Sequence, residues 1–275
     1  FMNININGKL LDFSVPKVMG ILNITPDSFY DGGKYNSESK IINQLEKMIF
    51  SGADIIDVGG YSSRPGAHKI SIDEELNRVI PVIKLISKKF PKIIISIDTF
   101  RSLVAKKAID CGAHIINDIS GGNLDINMFK TVSKLNVPYI LMHMRGNPSN
   151  MMSKTHYKSI SKELIEYFKV RISMAKSEGI NDIIIDPGFG FSKTIEQNYE
   201  LMNNLHKLKI FKTPIMVGVS RKSMVYKTLN ISPEMALNGS TILHTISILN
   251  GANILRVHDV LEAVECVKIM SNLNS

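Results

Sequence analysis

The chain has 275 residues, 44% of them apolar and 21% charged. That much apolar material builds a large core and excludes a disordered chain. The net charge is +8, but 26 of the 33 cations are Lys, spread along the chain in runs of at most two, and the aromatic residues form no stacking motif. A scattered Lys excess marks a solvated surface or an anionic small substrate, and no nucleic-acid partner is expected. The two cysteines, Cys111 and Cys266, exclude a disulfide framework and read as small apolar residues of helices. The first residues hold no basic stretch followed by an apolar core, so no secretory signal is expected. The longest uncharged stretch, residues 235–255, carries Asn238, Ser240, Thr241, His244, Thr245, Ser247 and Asn250 and is too polar for a membrane span. A soluble cytoplasmic protein with no membrane partner is expected.

In chain order, residues 2–6 and 9–14, split by Asn7-Gly8, predict a small hairpin that plugs the bottom of a barrel. Short apolar runs then predict eight strands, at about 18–23, 54–58, 93–98, 114–117, 138–142, 182–186, 215–219 and 253–257. Helical stripes fill the intervals. Ile41, Ile42, Leu45, Met48 and Ile49 form one, Ile72, Leu76, Val79, Ile80 and Ile83 a second, and Ile160, Leu164, Ile165, Phe168 and Ile172 a third. Ser71 with Glu74 and Thr194 with Gln197 fit capping boxes, and Ser232-Pro233 fits an N-cap with Pro at the first helical position.

A repeat runs through these units. Gly52-Ala53-Asp54-Ile55-Ile56-Asp57, Gly112-Ala113-His114-Ile115-Ile116-Asn117 and Gly251-Ala252-Asn253-Ile254-Leu255-Arg256 share one pattern. A looser copy leads from Gly179 to Asp186. In each, Gly suits the residue after a helix, where left-handed geometry is needed. An all-apolar run suits a parallel sheet covered on both faces. Eight such βα units in one domain, residues 1–275, fit a (β/α)8 TIM barrel of the α/β class with a short N-terminal β-hairpin. A doubly wound open sheet is the alternative, and the absence of a GxGxxG opening any helix weakens its dinucleotide-binding form.

In a barrel the chemistry sits at the C-terminal ends of the strands. Those ends carry Asn23, Asp57, Asp98, Asn117, His143, Asp186, Ser220 to Lys222, Arg256 and His258. Any one of these is explained as a cap or salt bridge, but all of them together are not. Four of the seven Arg, namely Arg64, Arg145, Arg221 and Arg256, fall at strand ends or in the following loops, and the planar guanidinium suits phosphate. An anionic ligand, a phosphate or diphosphate, is expected. Two loops rich in Gly and hydroxyl residues, Asn23 to Gly33 and Gly59 to Ala67, suit closure over a ligand. Asp186-Pro187-Gly188-Phe189-Gly190-Phe191 sets a carboxylate on a rigid turn.

These loops, with Ile116-Asn117-Asp118, Gly218-Val219-Ser220-Arg221-Lys222-Ser223 and Arg256-Val257-His258-Asp259, resemble the signature segments of dihydropteroate synthases over about residues 10–270. The resemblance implies a TIM barrel and the condensation of (7,8-dihydropterin-6-yl)methyl diphosphate with 4-aminobenzoate. The products are 7,8-dihydropteroate and diphosphate, in folate biosynthesis. It also implies Mg²⁺, a homodimer and inhibition by sulfonamides, which mimic 4-aminobenzoate in shape. Carried onto this sequence, it places Asn23 beside the metal and diphosphate, and Asp98, Asn117, Asp186 and Lys222 in the pterin pocket. It makes Arg256 and His258 the diphosphate anchors. Ser63, Arg64 and Pro65 fall in a loop closing over 4-aminobenzoate, with Ser220 and Ser223 flanking that substrate, and Asp31 falls in the first loop. Met144 reads equally as a wall against the pterin face and as core filler.

The residue types suit those roles. A carboxylate accepts both hydrogens of the pterin's N3–H and 2-amino edge, which fits Asp186. Asn117 donates and accepts, and Lys222 donates to O4 or N5. Asp98 opposes positive charge developing as the bond to diphosphate breaks. The sequence departs from the family where Tyr61 replaces Glu and Ser63 replaces Thr in the Gly-Gly-Glu-Ser-Thr-Arg-Pro-Gly loop, and where Arg145 stands for the frequent Gln. A pterin-dependent methyltransferase and an inactive pterin-binding protein on the same fold are the alternatives.

Overall fold

The structure is a computed structural model that describes residues 2–24, 34–62 and 68–273. Asn3–Ile6 (β1) and Lys9–Asp12 (β2) form the expected antiparallel hairpin, Asn3 opposite Asp12. Asn7 and Gly8 both adopt positive φ, 50° and 82°, as a two-residue turn matched to strand twist requires.

Eight parallel strands follow: Lys17–Asn23 (β3), Ile55–Gly59 (β4), Ile94–Asp98 (β5), Ile115–Asp118 (β6), Tyr139–Met142 (β7), Ile183–Asp186 (β8), Met216–Val217 (β9) and Ile254–Val257 (β10). Their order is β8-β7-β6-β5-β4-β3-β10-β9. A parallel bridge between Ile185 and Ile215 brings the two end strands together, so the sheet forms a nearly closed barrel. An open doubly wound sheet is thereby excluded. β9 is shorter than its apolar run suggests. Pro214 has no N–H to give, and the Ile215 N–H goes to the Asn253 side-chain oxygen at 3.0 Å rather than to a strand.

Helices cover the outside: Lys34–Phe50 (α1), Ile72–Lys89 (α2), Ser102–Asp110 (α3), Met128–Leu135 (α4), Ile160–Ser177 (α5), Ile195–Asn203 (α6), Ser223–Tyr226 (α7), Leu237–Leu249 (α8) and Val260–Leu273 (α9). The predicted stripes face inward, except that Ile72 at the start of α2 is exposed. Leu45, Val79, Ile83, Leu164 and Phe168 are fully buried in the layer between helices and strands. Thr194 and Gln197 form the complete capping box. Ser71 accepts the Glu74 N–H, but the Glu74 carboxylate pairs with Arg78 instead of reaching back. Ser232 makes no side-chain cap, and Pro233–Met235 is a 3-10 turn leading into α8.

The repeat is a packing device at both ends. Gly52, Gly112, Gly179 and Gly251 sit at φ between 93° and 110°, and the N–H after each reaches back five residues to a helix carbonyl. The polar residue at the foot of the next strand then caps a neighbour. Asp54 accepts the Val18 N–H, His114 the Ile95 N–H, Asn253 the Ile215 N–H, and Asp182 the Asn5 N–H of the hairpin. Ile4, Ile6 and Phe13 press against Met19, Ile55, Ile115, Ile140, Ile184, Met216 and Ile254, which plugs the barrel's N-terminal end. The opposite rim is left for chemistry. Among the described residues, no helix is long and apolar enough to cross a membrane.

Candidate active site

Above the apolar floor the barrel interior turns polar. β10 delivers Arg256, whose Nε donates to Asp57 Oδ2 of β4 at 2.6 Å and whose Nη2 donates to Asp98 Oδ2 of β5 at 2.7 Å. Asn117 of β6 donates through Nδ2 to the same Asp57 oxygen at 3.0 Å. Asp98 and Asn117 are neighbours in the β5–β6 register. Three of the predicted residues, Asp98, Asn117 and Arg256, thus meet in one cluster. Burial raises the Asp98 pKa to about 7, with the Asp57, Glu75 and Asp118 carboxylates adding to it and Arg256 opposing. Burial works against the Arg256 charge, and the Asp57 and Asp98 carboxylates still hold its pKa above the ordinary guanidinium value.

Asp186 and Lys222 both bind the turn after β8. Asp186, at the end of β8, is buried and accepts the Gly188 N–H at 2.7 Å, which shapes the turn after the strand. A Cβ on Gly188 would fall 2.1 Å from the His143 carbonyl oxygen, and its φ is 71°, so the turn requires glycine. Lys222 donates to the Phe189 carbonyl of that turn, and its ammonium stands 4.9 Å from the Phe191 ring. Burial lowers the Lys222 pKa to about 8, with Arg256 adding to the fall and Asp186 and Asp98 opposing it. Burial raises Asp186, against the pull of Lys222.

The remaining predicted residues have plain positions. Ser220 is committed to His258: its hydroxyl lies 3.1 Å from the ring Nδ1 and accepts the His258 N–H at 3.2 Å. Desolvation at the rim, then Arg256 and other nearby cations, lower the His258 pKa. Ser223 opens α7, half-buried. Met144 is buried with Ile119, Met142 and Met151, flanked by Phe100 and Phe191, an apolar wall at the mouth. Asn23 ends β3. A Cβ on Gly59 would fall 3.3 Å from Asn23 Oδ1 and 3.6 Å from Asp98 Oδ2, so glycine keeps the space between them open. Asp31, Ser63, Arg64 and Pro65 lie outside the described residues.

Two of the four arginines at strand ends are engaged elsewhere. Arg145 pairs with Glu163 and stacks 3.8 Å over Tyr157, and Arg221 holds Asp259 with two nitrogens at 2.8 Å. Both cations bind loops together and do not converge on the barrel axis. Tyr61 packs edge-on against Phe100, with the Arg101 guanidinium 5.2 Å from its ring. A tyrosine face therefore meets the cation that an acid at this position would face. Sequence reasoning gave no role to two buried groups. Asp57 was visible at a strand end within the repeat. Lys193 carries no periodic signal. It is buried and donates to the Gly188 and Phe191 carbonyls, both at 2.9 Å, with its Nζ 3.1 Å from His143 Nδ1. Burial pushes its amine well below the ordinary value.

A barrel whose open rim gathers carboxylates, an amide and cations around an apolar wall suits a flat, nitrogen-rich heterocycle. The family described as pterin binding enzyme matches residues 19–258. Dihydropteroate synthase of Escherichia coli is 42% identical over 271 residues, 98% of this chain and 95% of that protein. The Yersinia pestis dihydropteroate synthase solved with a sulfonamide drug complex superposes with a TM-score of 0.92 at 39% identity, covering 99% of each chain. That of Xanthomonas albilineans, in complex with 7,8-dihydropteroate, gives 0.88 at 32% identity, also over 99% of each. The chain belongs to the dihydropteroate synthase family, transferases of folate biosynthesis.

The turn bearing Asp186 hangs on Lys193. Lys193→Met leaves two buried carbonyls without their donor and the His143 ring nitrogen without its partner, and is expected to lower stability by about 3 kcal/mol. Chemical denaturation reads this directly, and an unchanged midpoint would show that the turn is held by other contacts.

Proposed function

We propose that the site condenses (7,8-dihydropterin-6-yl)methyl diphosphate with 4-aminobenzoate by a dissociative, SN1-like path. The observation that carries this reading is the meeting of Asp98, Asn117 and Arg256 at one barrel mouth, with Asp186 and Lys222 both bound to the turn after β8. Asp186 accepts the N3–H and 2-amino hydrogens of the ring, Asn117 reads a mixed edge, and Lys222 donates to O4 or N5. The Met144 wall covers a ring face. The bond from the exocyclic methylene carbon to the diphosphate oxygen breaks, and its electron pair leaves with oxygen. The cation spreads into the ring, opposite the Asp98 carboxylate. The amine nitrogen of 4-aminobenzoate then bonds to that carbon, and its extra proton passes to solvent.

Arg256 and His258 face the departing diphosphate, and Ser220 keeps the His258 ring in place. Ser223, Ser63, Arg64 and Pro65 belong to the 4-aminobenzoate side, and Asp31 to the first loop, on the family's pattern. Two loops closing over the substrates exclude water from the cation.

Mg²⁺ is part of the proposal. Among the described residues no cluster of three His, Cys, Asp or Glu forms a metal cage. Mg²⁺ keeps waters and substrate phosphate oxygens and needs few protein ligands, so the single amide oxygen of Asn23, beside the open space at Gly59, fits it. When bound with diphosphate, it supplies charge neutralisation on the leaving group. The cytoplasm is the proposed location.

Diphosphate release that requires 4-aminobenzoate, with sulfonamides competing against that substrate, tests the reaction. Asp186→Ala is expected to weaken pterin binding about 100-fold, since a charged hydrogen-bonding partner of the ring is lost. Near-normal affinity by calorimetry would refute the assignment.

The two shifted pKa values set the pH dependence. Asp98 gains its proton as pH falls through about 7, and Lys222 loses its charge as pH rises through about 8. A narrow bell is expected for kcat/KM of the pterin substrate, and Asp98→Asn should remove its acid limb. An acid limb that survives in that variant would assign it to another group.

A homodimer completes the proposal. Ile242 and Leu249 on α8, and Leu261, Ile269 and Leu273 on α9, are each more than half exposed, and the two helices pack together. Exposed apolar ridges of this kind mark interfaces. Sedimentation should give twice the chain mass, and Ile242→Glu with Ile269→Glu should give a monomer. A wild-type monomer would overturn this part.

A further inference from the structure

Three copies of the repeat end in Asp57, Asn117 and Arg256, five places after their glycines. The fold brings these three ends onto a single atom. Asp57 Oδ2 accepts Arg256 Nε at 2.6 Å and Asn117 Nδ2 at 3.0 Å. The carboxylate is fully buried, and its Oδ1 has no partner among the described residues. Among the described residues, all of its hydrogen bonding therefore rests on one oxygen.

The consequence for Asn117 is directional. An amide inside a pocket has two orientations, related by a half-turn that exchanges oxygen and nitrogen. A carboxylate oxygen only accepts, so it holds the nitrogen side and rejects the carbonyl side. With one Nδ2 hydrogen taken, Asn117 offers a ligand one N–H and one carbonyl oxygen in a fixed order. The consequence for Arg256 is similar. Asp57 holds Nε while Asp98 holds Nη2, which fixes the plane of the guanidinium.

We propose that Asp57 is a specificity-determining positioning residue that orders the Asn117 amide toward the substrate ring and sets the plane of Arg256, without touching the substrate itself. This rests on the pterin reading of the site. It distinguishes a ring edge that presents donor and acceptor in one order from a ring edge that presents them reversed. The Asp57 charge serves the pairing with Arg256, and its lack of a donor hydrogen serves the order of the amide.

Asp57→Asn keeps the shape and loses both properties, since the new amide donates as well as accepts. Calorimetry with 6-hydroxymethylpterin reads the effect. Asp57→Asn should weaken binding at least 10-fold, and it should add less than threefold in an Asn117→Ala background, because the two residues act as a unit. The wild type should also prefer 6-hydroxymethylpterin over 6-hydroxymethyllumazine, in which a C2 carbonyl oxygen replaces the 2-amino group and N1 carries a hydrogen, so that donor and acceptor are reversed along that edge. Asp57→Asn should narrow that preference, a change that a merely structural role would not produce. Unchanged affinity, full additivity with Asn117→Ala or an unchanged preference would overturn the proposal. A wild type that binds neither ring would instead sink the pterin reading itself.

One measurement needs no variant. In the ligand-free wild type the Nδ2 hydrogen of Asn117 that faces Asp57 should exchange slowly with solvent and be shifted downfield of its geminal partner in NMR spectra, as expected of a hydrogen held by a buried carboxylate. Rapid solvent exchange of both hydrogens, or the shifts of a free side-chain amide, would overturn the proposal even if Asp57→Asn fails to fold.

Discussion

A guanidinium enclosed by a barrel has to be met by carboxylates. Left alone, the Arg256 charge would cost several kcal/mol of lost hydration, and so would either acid beside it. Asp57 and Asp98 meet it from two neighbouring strands. The rest of the interior follows from that pairing. Asn117 is drawn to the free side of the Asp57 oxygen, and Asp186 and Lys222 form a second set of opposite charges near the first. Opposite charges thus neighbour one another around the cup. His258 stands at the rim, open to solvent.

Such a cluster is a poor source of stability, and the fold obtains stability elsewhere. The floor is apolar and sealed by Ile4, Ile6 and Phe13, and the outer layer between strands and helices is mostly apolar, with buried polar exceptions such as Glu75 and His244. The strands of the repeat therefore carry two environments along their length. The foot bears a polar cap for a neighbour, and the head turns polar inside the barrel. The repeat encodes both in six residues, with a foot residue such as Asp54, His114 or Asn253 three places before a head residue such as Asp57, Asn117 or Arg256.

That compression explains what the sequence made visible. Helices, strands and the polar heads follow from local rules, so the eight strands and the hairpin plug could be placed to within about a residue, except at the end of β2, which stops at Asp12, and at β9. The start of β9 is trimmed by Pro214 and by the Asn253 side chain, a contact between residues 38 apart, and its end by the turn in which the Val219 carbonyl accepts the Lys222 N–H. Partner choice is equally non-local. Nothing near Arg145 or Arg221 in sequence says that Glu163 and Asp259 will claim them. Lys193 was missed because a single cation in a loop has no period. Its meaning lies in two turn carbonyls and a histidine from β7's end, 50 residues away. Tyr61 was legible as a departure from the family, but its partner Arg101 was not.

Sharing one oxygen has a mechanical result. Arg256 and Asn117 hang from the same atom, so a shift of either donor lengthens or bends the bond of the other. In the proposed reaction these two residues face different halves of one substrate, the leaving group and the ring. Recognition of the two halves is then coupled through Asp57, and a ring seated in the wrong order disturbs the cation meant for diphosphate. The unpartnered Oδ1 fits this reading. A carboxylate satisfied on both oxygens would hold each donor independently, whereas one loaded oxygen ties them together.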